Sequence, residues 1–293
     1  MPDRPHLRVV ETAGAGEIRI ETRWIPAHGR APALELVEAR PAGPASGAPL
    51  LFVHGGFGGA WMWQEVYLPY FARRGRHVAA VSLRAHGGSG GYDGLRRWSL
   101  ADLVEDVRRA HAAMPSTPIL VGHSLGGLLA QMLVGQLSMR ALVLLASLPP
   151  EGLFFEGLRL AITEPHIWTE AYLGSVSGSR LPVEAAGYQI LFSEGLPPER
   201  IAAYAARMVP ESARALLEAH APGPIVPAIL HGIPTLVVSG DNDRLVWRPS
   251  AIRTALYHGA LFRTASGMGH FLQIDIGAEE VARDVLDWVE ALP

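Results

Sequence analysis

Apolar and polar positions alternate at the start of the chain and then stop alternating. Glu17-Ile18-Arg19-Ile20-Glu21-Thr22-Arg23-Trp24-Ile25 has the period of two of a half-buried strand, and Ala33-Leu34-Glu35-Leu36-Val37-Glu38 repeats it. Pro41 to Pro49 (PAGPASGAP) is turn chemistry and reads as a surface hairpin loop, with a domain linker as the other reading. Short continuous apolar runs bounded by Gly or Pro follow: Leu50-Leu51-Phe52-Val53, Val78-Ala79-Ala80-Val81, Ile119-Leu120-Val121, Ala141-Leu142-Val143-Leu144-Leu145 and Thr235-Leu236-Val237-Val238. Runs of this kind suit strands buried on both faces. Between them, apolar residues recur at helical spacing. One stripe is Leu100-Leu103-Val104-Val107, with Ser99 as its N-cap; others are Leu125-Leu128-Leu129-Met132-Leu133 and Val281-Val285-Trp288-Val289. The alternation predicts an α/β fold with a mostly parallel twisted sheet and helices on both faces.

The interval from Ala146 to Pro234 breaks this rhythm, because it carries no strand pattern and is much longer than the roughly 30 residues of a crossover unit. Its surplus is rich in Phe, Trp, Tyr and Leu at helical spacing, as in Leu153-Phe154-Phe155, Ile167-Trp168, Tyr188-Ile190-Leu191-Phe192 and Ile201-Tyr204-Met208. Pro182, Pro197-Pro198 and Pro210 divide it into short helices. This reads as a helical cap, 149–224, inserted into a core made of 1–148 and 225–293. Most of its aromatics are expected to pack the cap on the core and a minority to face a substrate. No internal repeat is visible.

Composition then narrows the chemistry. The 293 residues include no Cys, and all 25 basic Lys or Arg positions are Arg. Disulfides, thiolate metal sites, iron–sulfur clusters, Cys nucleophiles, Schiff-base chemistry and a P-loop lysine are thereby excluded. A net charge of −3 gives no electrostatic reason to expect nucleic acid or an anionic membrane as partner. No uninterrupted apolar run is long enough to span a bilayer, and the first residues lack the apolar segment of a secretory signal, so a cytoplasmic location is expected. Oligomeric state is not legible.

Gly122-His123-Ser124-Leu125-Gly126 fits G-x-S-x-G and lies between a buried strand and an amphipathic helix. That is the setting of a nucleophile elbow, in which small residues flank a strained Ser. The alternative is Ser124 as a plain helix N-cap. A hydroxyl needs a base to take its proton, and that base needs a carboxylate to orient it. In chain order the acid comes first: Asp243 follows the strand ending in Gly240, with Asp241 as its rival. Of the 12 His, His270 lies in the Gly-flanked loop Gly267-Met268-Gly269-His270-Phe271, after the short apolar segment Ala260-Leu261-Phe262, and is the expected base. Glycines in His54-Gly55-Gly56-Phe57-Gly58-Gly59 let backbone N–H groups approach a ligand. The expected oxyanion donors are the N–H groups of Gly56, with Phe57 as the alternative, and of Leu125. The loop is neither G-x-G-x-x-G nor a P-loop, which argues against nucleotide binding. Phe57, Trp61 and His123 are expected nearest the substrate, with Trp63 close by. His54, His86 and His123 are expected as structural residues around the site, and His258 at the surface.

These segments together resemble the α/β-hydrolase superfamily from about Leu50 to Leu292. His54-Gly55 with Trp61 and Trp63 is similar to the HGxxxxxWxW pattern of small esterases. Ser82-Leu83-Arg84-Ala85-His86-Gly87-Gly88-Ser89 is similar to D-x-R-G-x-G-x-S, with Ser82 in place of Asp and Ala85 in place of Gly. The resemblance implies Ser124 as nucleophile, Asp243 as acid and His270 as base, with no metal and no organic cofactor. Ser at the elbow separates the chain from haloalkane dehalogenases and epoxide hydrolases, which use Asp there. Absence of Lys separates it from plant hydroxynitrile lyases. The expected reaction is hydrolysis of a small apolar carboxylic ester through an acyl-enzyme, with activity falling at acid pH as His270 protonates. Lactone, amide, thioester or C–C bond cleavage and cofactor-free perhydrolysis use the same groups, and a silent ligand-binding scaffold is the reading from another class.

Overall fold

The computed structural model describes residues 18–166, 168–170 and 190–293. The N-terminal stretch up to Glu17, and Ile167, Pro182 and Tyr188, lie outside the described residues. Eight strands form one sheet: β1 (Arg19–Ile25), β2 (Leu34–Arg40), β3 (Leu50–Val53), β4 (Val78–Val81), β5 (Ile119–His123), β6 (Ala141–Leu145), β7 (Thr235–Gly240) and β8 (Leu261–Ala265). Their spatial order is β1-β2-β4-β3-β5-β6-β7-β8. β2 pairs antiparallel with β1 and with β4, and every later pair is parallel.

The sequence pattern maps directly onto this sheet. β3 to β7 are buried at every position, as their unbroken apolar runs require. Alternate residues go to opposite faces. Leu50 and Phe52 join the cluster of Trp63, Tyr67, Phe71 and Val285, while Leu51 and Val53 join Leu103, Leu128, Leu129 and Ala255. Helices α1 (Trp61–Gln64), α2 (Tyr67–Arg73) and α9 (Ala278–Glu290) cover the first face. Helices α3 (Leu100–Ala112), α4 (Leu125–Met132) and α8 (Arg248–His258) cover the second. Burying each Leu or Phe of these layers contributes about 1.5–3 kcal/mol. Ser99 caps α3 as expected: its Oγ accepts from Asp102 N at 3.1 Å, and Asp102 Oδ2 accepts from Ser99 N at 2.9 Å.

Two sequence expectations change here. Residues 41–49 join β2 to β3, but β4 lies between those strands, so the segment crosses to a non-adjacent strand and is no hairpin loop. His258 is fully buried, with Nδ1 accepting from Ala228 N and Nε2 donating to Gln131 Oε1, both at 3.0 Å. It is an interior residue.

Between β6 and β7 the described residues carry α5 (Phe154–Thr163), α6 (Pro198–Ala205) and α7 (Ala213–Glu218), and no strand. Ala215 of α7 packs into the same cluster as Leu100 and Leu103 of α3. Phe192 and Tyr204 are buried, whereas Phe154, Phe155 and Trp168 are exposed. No helix among the described residues is long and apolar enough to cross a membrane.

Among the described residues, four that are not glycine have positive φ: Phe57, Ala85, Ser124 and Ala146. All four follow directly or closely the carboxyl ends of β3, β4, β5 and β6. Strain of this kind costs about 1–3 kcal/mol each and persists where surrounding structure enforces it. Its concentration along one edge marks where ligands bind in sheets of this type.

Candidate active site

β5 runs into α4 through Ser124, whose φ of 50° and ψ of −119° a residue with a Cβ rarely adopts. The flanking glycines explain how the chain makes this corner. A Cβ on Gly122 would lie 2.5 Å from Gly126 O, and one on Gly126 would lie 2.5 Å from Val53 O. Helix and strand thus approach backbone to backbone. Ser124 N donates to Leu145 O at 3.1 Å, which keeps the corner in the sheet ladder. The Ser124 side chain makes no capping hydrogen bond to α4, so the N-cap reading fails.

Two loops at the same edge bring together Asp243 and His270, the expected acid and base. Asp243 follows β7 and His270 follows β8; His270 Nδ1 and Asp243 Oδ2 are 2.9 Å apart, and both side chains are buried. Asp243 Oδ1 accepts from Leu245 N and Val246 N, each at 2.9 Å, which fixes the carboxylate. Asp241 points elsewhere: its Oδ1 accepts from Gly267 N at 2.7 Å and holds the turn after β8. Of the two, Asp243 is the one in contact with His270. With its Nδ1 facing Asp243, the His270 ring presents Nε2 as the remaining basic atom.

The Gly-rich loop after β3 lies against Ser124. A Cβ on Gly55 would be 2.8 Å from Ser124 Cβ. Leu83 N donates to His54 Nε2 at 3.0 Å, so the His54 proton resides on Nδ1 and donates to Gly55 O at 2.7 Å. In a trans peptide the carbonyl and the next N–H point opposite ways. Anchoring Gly55 O therefore turns the Gly56 N–H away from His54. Burial, reinforced by the charge of His86, drives the His54 pKa down to about 3, so this anchor stays neutral. Leu125 N–H is the first of α4 and has no acceptor within its own helix.

Around these groups the structure reassigns several residues. His123 is fully buried, with Nε2 donating to His270 O at 2.9 Å and its ring 4.9 Å from that of His270. It holds the His270 loop from the interior and is closed off from a substrate. Trp63 is a core residue, 4.8 Å from Phe52. Phe57 is partly exposed, and Trp61, 7% exposed, lies 6.2 Å from Tyr204. Tyr204 stacks on Phe192, which meets Phe271 at 5.1 Å. An aromatic row thus runs from Trp61 through Tyr204 and Phe192 to Phe271, the residue after His270.

Sequence reasoning missed the polar supports. Ser82, standing where the resemblance calls for Asp, donates to Glu35 Oε2 at 2.6 Å and accepts from Ala60 N. Glu35, from β2, also accepts from Gly88 N, and so supplies the absent carboxylate. Asp275 Oδ2 accepts from Ser193 N at 2.8 Å and Ser193 Oγ at 2.6 Å, while Leu191 O accepts from His270 N at 2.9 Å. The base loop is thereby stitched to the chain that precedes α6. Glu211 and His86 form a third support. No signal within either segment predicts these pairings. Among the described residues, no three His, Asp or Glu side chains converge as a metal site.

The sequence profile of the alpha/beta hydrolase family matches residues 50–284. No curated protein matches the chain. Among solved structures, an esterase from Thermogutta terrifontis superposes with a TM-score of 0.68 at 19% identity, over 92% of this chain and 98% of that one. An epoxide hydrolase from Vigna radiata gives 0.67 at 16% identity, over 92% and 98%. An enzyme that degrades N-acyl homoserine lactones gives 0.62 at 19% identity, over 88% and 98%. With its profile match, its doubly covered parallel sheet and the loops that converge on Ser124, the chain belongs to the alpha/beta hydrolase family.

Proposed function

We propose that the chain is a serine hydrolase that cleaves the carboxylic ester of a small apolar substrate through an acyl-enzyme. The observation that carries this reading is the 2.9 Å contact of His270 with Asp243 at the edge where Ser124 is held in a strained corner. His270 takes the Ser124 proton as Oγ attacks the ester carbonyl. The Gly56 and Leu125 N–H groups stabilise the resulting oxyanion, each worth about 2.7–4 kcal/mol if it acts like measured donors. His270 then gives its proton to the departing alcohol. Water, deprotonated by the same ring, attacks the acyl-Ser124 carbonyl and releases the acid. Asp243 holds the ring with Nδ1–H toward itself and stabilises the imidazolium. Partly exposed Phe57 and the neighbouring Trp61 favour an apolar acyl or alcohol group.

A panel of p-nitrophenyl esters graded by acyl length, with lactones and an anilide beside it, tests the reaction class. Short to medium esters are expected to turn over fastest. Faster turnover of lactones, the chemistry of one structurally similar enzyme, would move the assignment to lactonase. Anilide cleavage at an ester-like rate would move it to amidase. The acid is tested separately. Asp243→Asn is expected to lower kcat about 10³–10⁴-fold by leaving the ring in the wrong tautomer. Asp241→Asn, which touches only the Gly267 turn, should stay within about threefold of wild type in the same ester assay. Equal losses in the two variants would contradict the assignment of Asp243.

A further inference from the structure

We propose that the buried Glu211–His86 pair is a positioning device for the oxyanion loop: it ties the chain after α6 to the loop after β4 and, through Val209, keeps Phe57 left-handed and the Gly55–Gly56 peptide against Ser124. The inference rests on the serine-hydrolase reading above and names two residues which that mechanism does not use.

His86 and Glu211 are 0% and 1% exposed, with Nε2 and Oε2 3.2 Å apart. Glu211 Oε1 accepts from Ser212 N at 2.8 Å. His86 Nδ1 lies 2.9 Å from Arg84 O, and a carbonyl only accepts, so Nδ1 carries a proton. Nε2 then faces a carboxylate oxygen at ion-pair range, without hydrogen-bond geometry, and this contact is attractive only with Nε2 protonated. Burial by itself lowers the His86 pKa, but the Glu211 carboxylate outweighs it and raises the net value; burial likewise raises Glu211, and His86 brings it below its ordinary range. The pair is therefore an imidazolium–carboxylate unit with no net charge, which is why the interior tolerates it.

Its position gives the unit a task. A Cβ on Gly56 would sit 3.7 Å from Glu211 Oε2, so the carboxylate backs directly onto the oxyanion loop. Two residues before Glu211, Val209 N donates to Phe57 O at 3.0 Å. One residue after it, Ser212 Oγ donates to Trp98 O at 2.6 Å. Phe57 itself has φ +67°, a conformation that its side chain opposes. Left unpinned, the Phe57 peptide relaxes, and with it the N–H groups aimed at the oxyanion. His54 holds one end of the loop and Val209 the other. The Glu211–His86 pair holds Val209.

The test compares Glu211→Ala with Glu211→Gln in ester hydrolysis, with kcat counted per site titrated by a fluorophosphonate, so that unfolded protein does not enter. The glutamine side chain retains the shape: its Oε1 still accepts from Ser212 N, and its amide NH2 faces the Nε2 of a neutral His86. Glu211→Ala is expected to lose about 10- to 100-fold in kcat with KM within about threefold, as a displaced catalytic group does. Glu211→Gln is expected to remain within about threefold of wild type. If Glu211→Ala yields no titratable sites, Val209→Pro, which deletes the donor to Phe57 and leaves the pair intact, takes its place with the same expected loss. An unchanged kcat with a raised KM would make Glu211 a substrate contact and overturn the proposal. A glutamine variant as damaged as the alanine variant would show that charge, not tethering, matters, and would overturn it too. Wild-type protein that neither hydrolyses esters nor reacts with the probe would remove the serine-hydrolase reading itself, before any variant is compared.

Discussion

Ser124→Ala is expected to lower kcat for ester hydrolysis by about 10⁶-fold and to abolish labelling by a fluorophosphonate probe. The size follows from how the groups act together. Without Oγ, His270 has no nucleophile to deprotonate, and only the oxyanion donors and substrate binding continue to accelerate attack by water. Adding Asp243→Asn to Ser124→Ala should therefore cost little more, because the members of such a unit are strongly non-additive. Labelling at another residue in the Ser124→Ala protein would end the assignment. Stability provides an independent check. Ser124 holds φ +50° against its own Cβ, and alanine keeps that Cβ, so Ser124→Ala should unfold close to wild type. Ser124→Gly removes the clash and should gain about 1 kcal/mol or more while losing activity. A destabilised glycine variant would show that the corner is not strained.

The parts of the molecule legible in the sequence are those fixed by local chemistry. β3, β4 and β6 begin and end where their apolar runs do, since strands buried on both faces admit no polar position. Ser124 can be found because the strand, the glycines and the helix that force its conformation are contiguous. Whatever depends on residues distant in the chain is not legible. Asp241 and Asp243 are equally acidic and two residues apart; only the direction of the turn after β7 decides which one meets His270. The departure at Ser82 reads as a lost carboxylate because its replacement, Glu35, comes from β2, 47 positions earlier. His258 reads as a surface residue at the end of α8, yet Gln131 of α4 and Ala228 N enclose it. The segment 41–49 reads as a hairpin because nothing in β2 or β3 announces that β4 will insert between them. His86 and Glu211 belong to this second class: each is an unremarkable polar residue until the fold makes them neighbours.

Lowering the pH from 7 to about 4.5 is expected to destabilise the fold steeply, because three histidines are buried as neutral rings whose protonation the fold opposes. Leu83 N donates into His54 Nε2, and Ala228 N donates into His258 Nδ1; protonating either nitrogen breaks that bond. His123 has Nε2 committed to His270 O and Nδ1 buried without a partner among the described residues. Burial is the main cause in all three. It takes His54 to about 3 and His258 to about 4, and, with the charge of His270, holds His123 well below the ordinary range. The unfolded chain binds protons at these residues near pH 6.5, whereas the native protein does not, so stability is complete above that pH and falls below it. Each histidine contributes a slope of up to about 1.4 kcal/mol per pH unit, and the three together about 4. His86 acts in the opposite sense: Glu211 raises it, so its contribution is complete at acid pH and is lost as the pH rises through its native value. Glu38 adds to acid lability only lower down. Burial opposes its ionisation, but His77, Arg23 and Arg40 together bring it to about 2, so its contribution is lost from near pH 4 downward. Urea unfolding at half-unit steps from pH 7 to pH 4.5 measures the slope. His258→Gln, in which the amide can accept from Ala228 N and donate to Gln131, should leave stability at pH 7 within about 1 kcal/mol and flatten the slope by about one proton. A wild-type curve that is level across this range, or a variant with the wild-type slope, would mean that the buried rings take up protons in the native state after all.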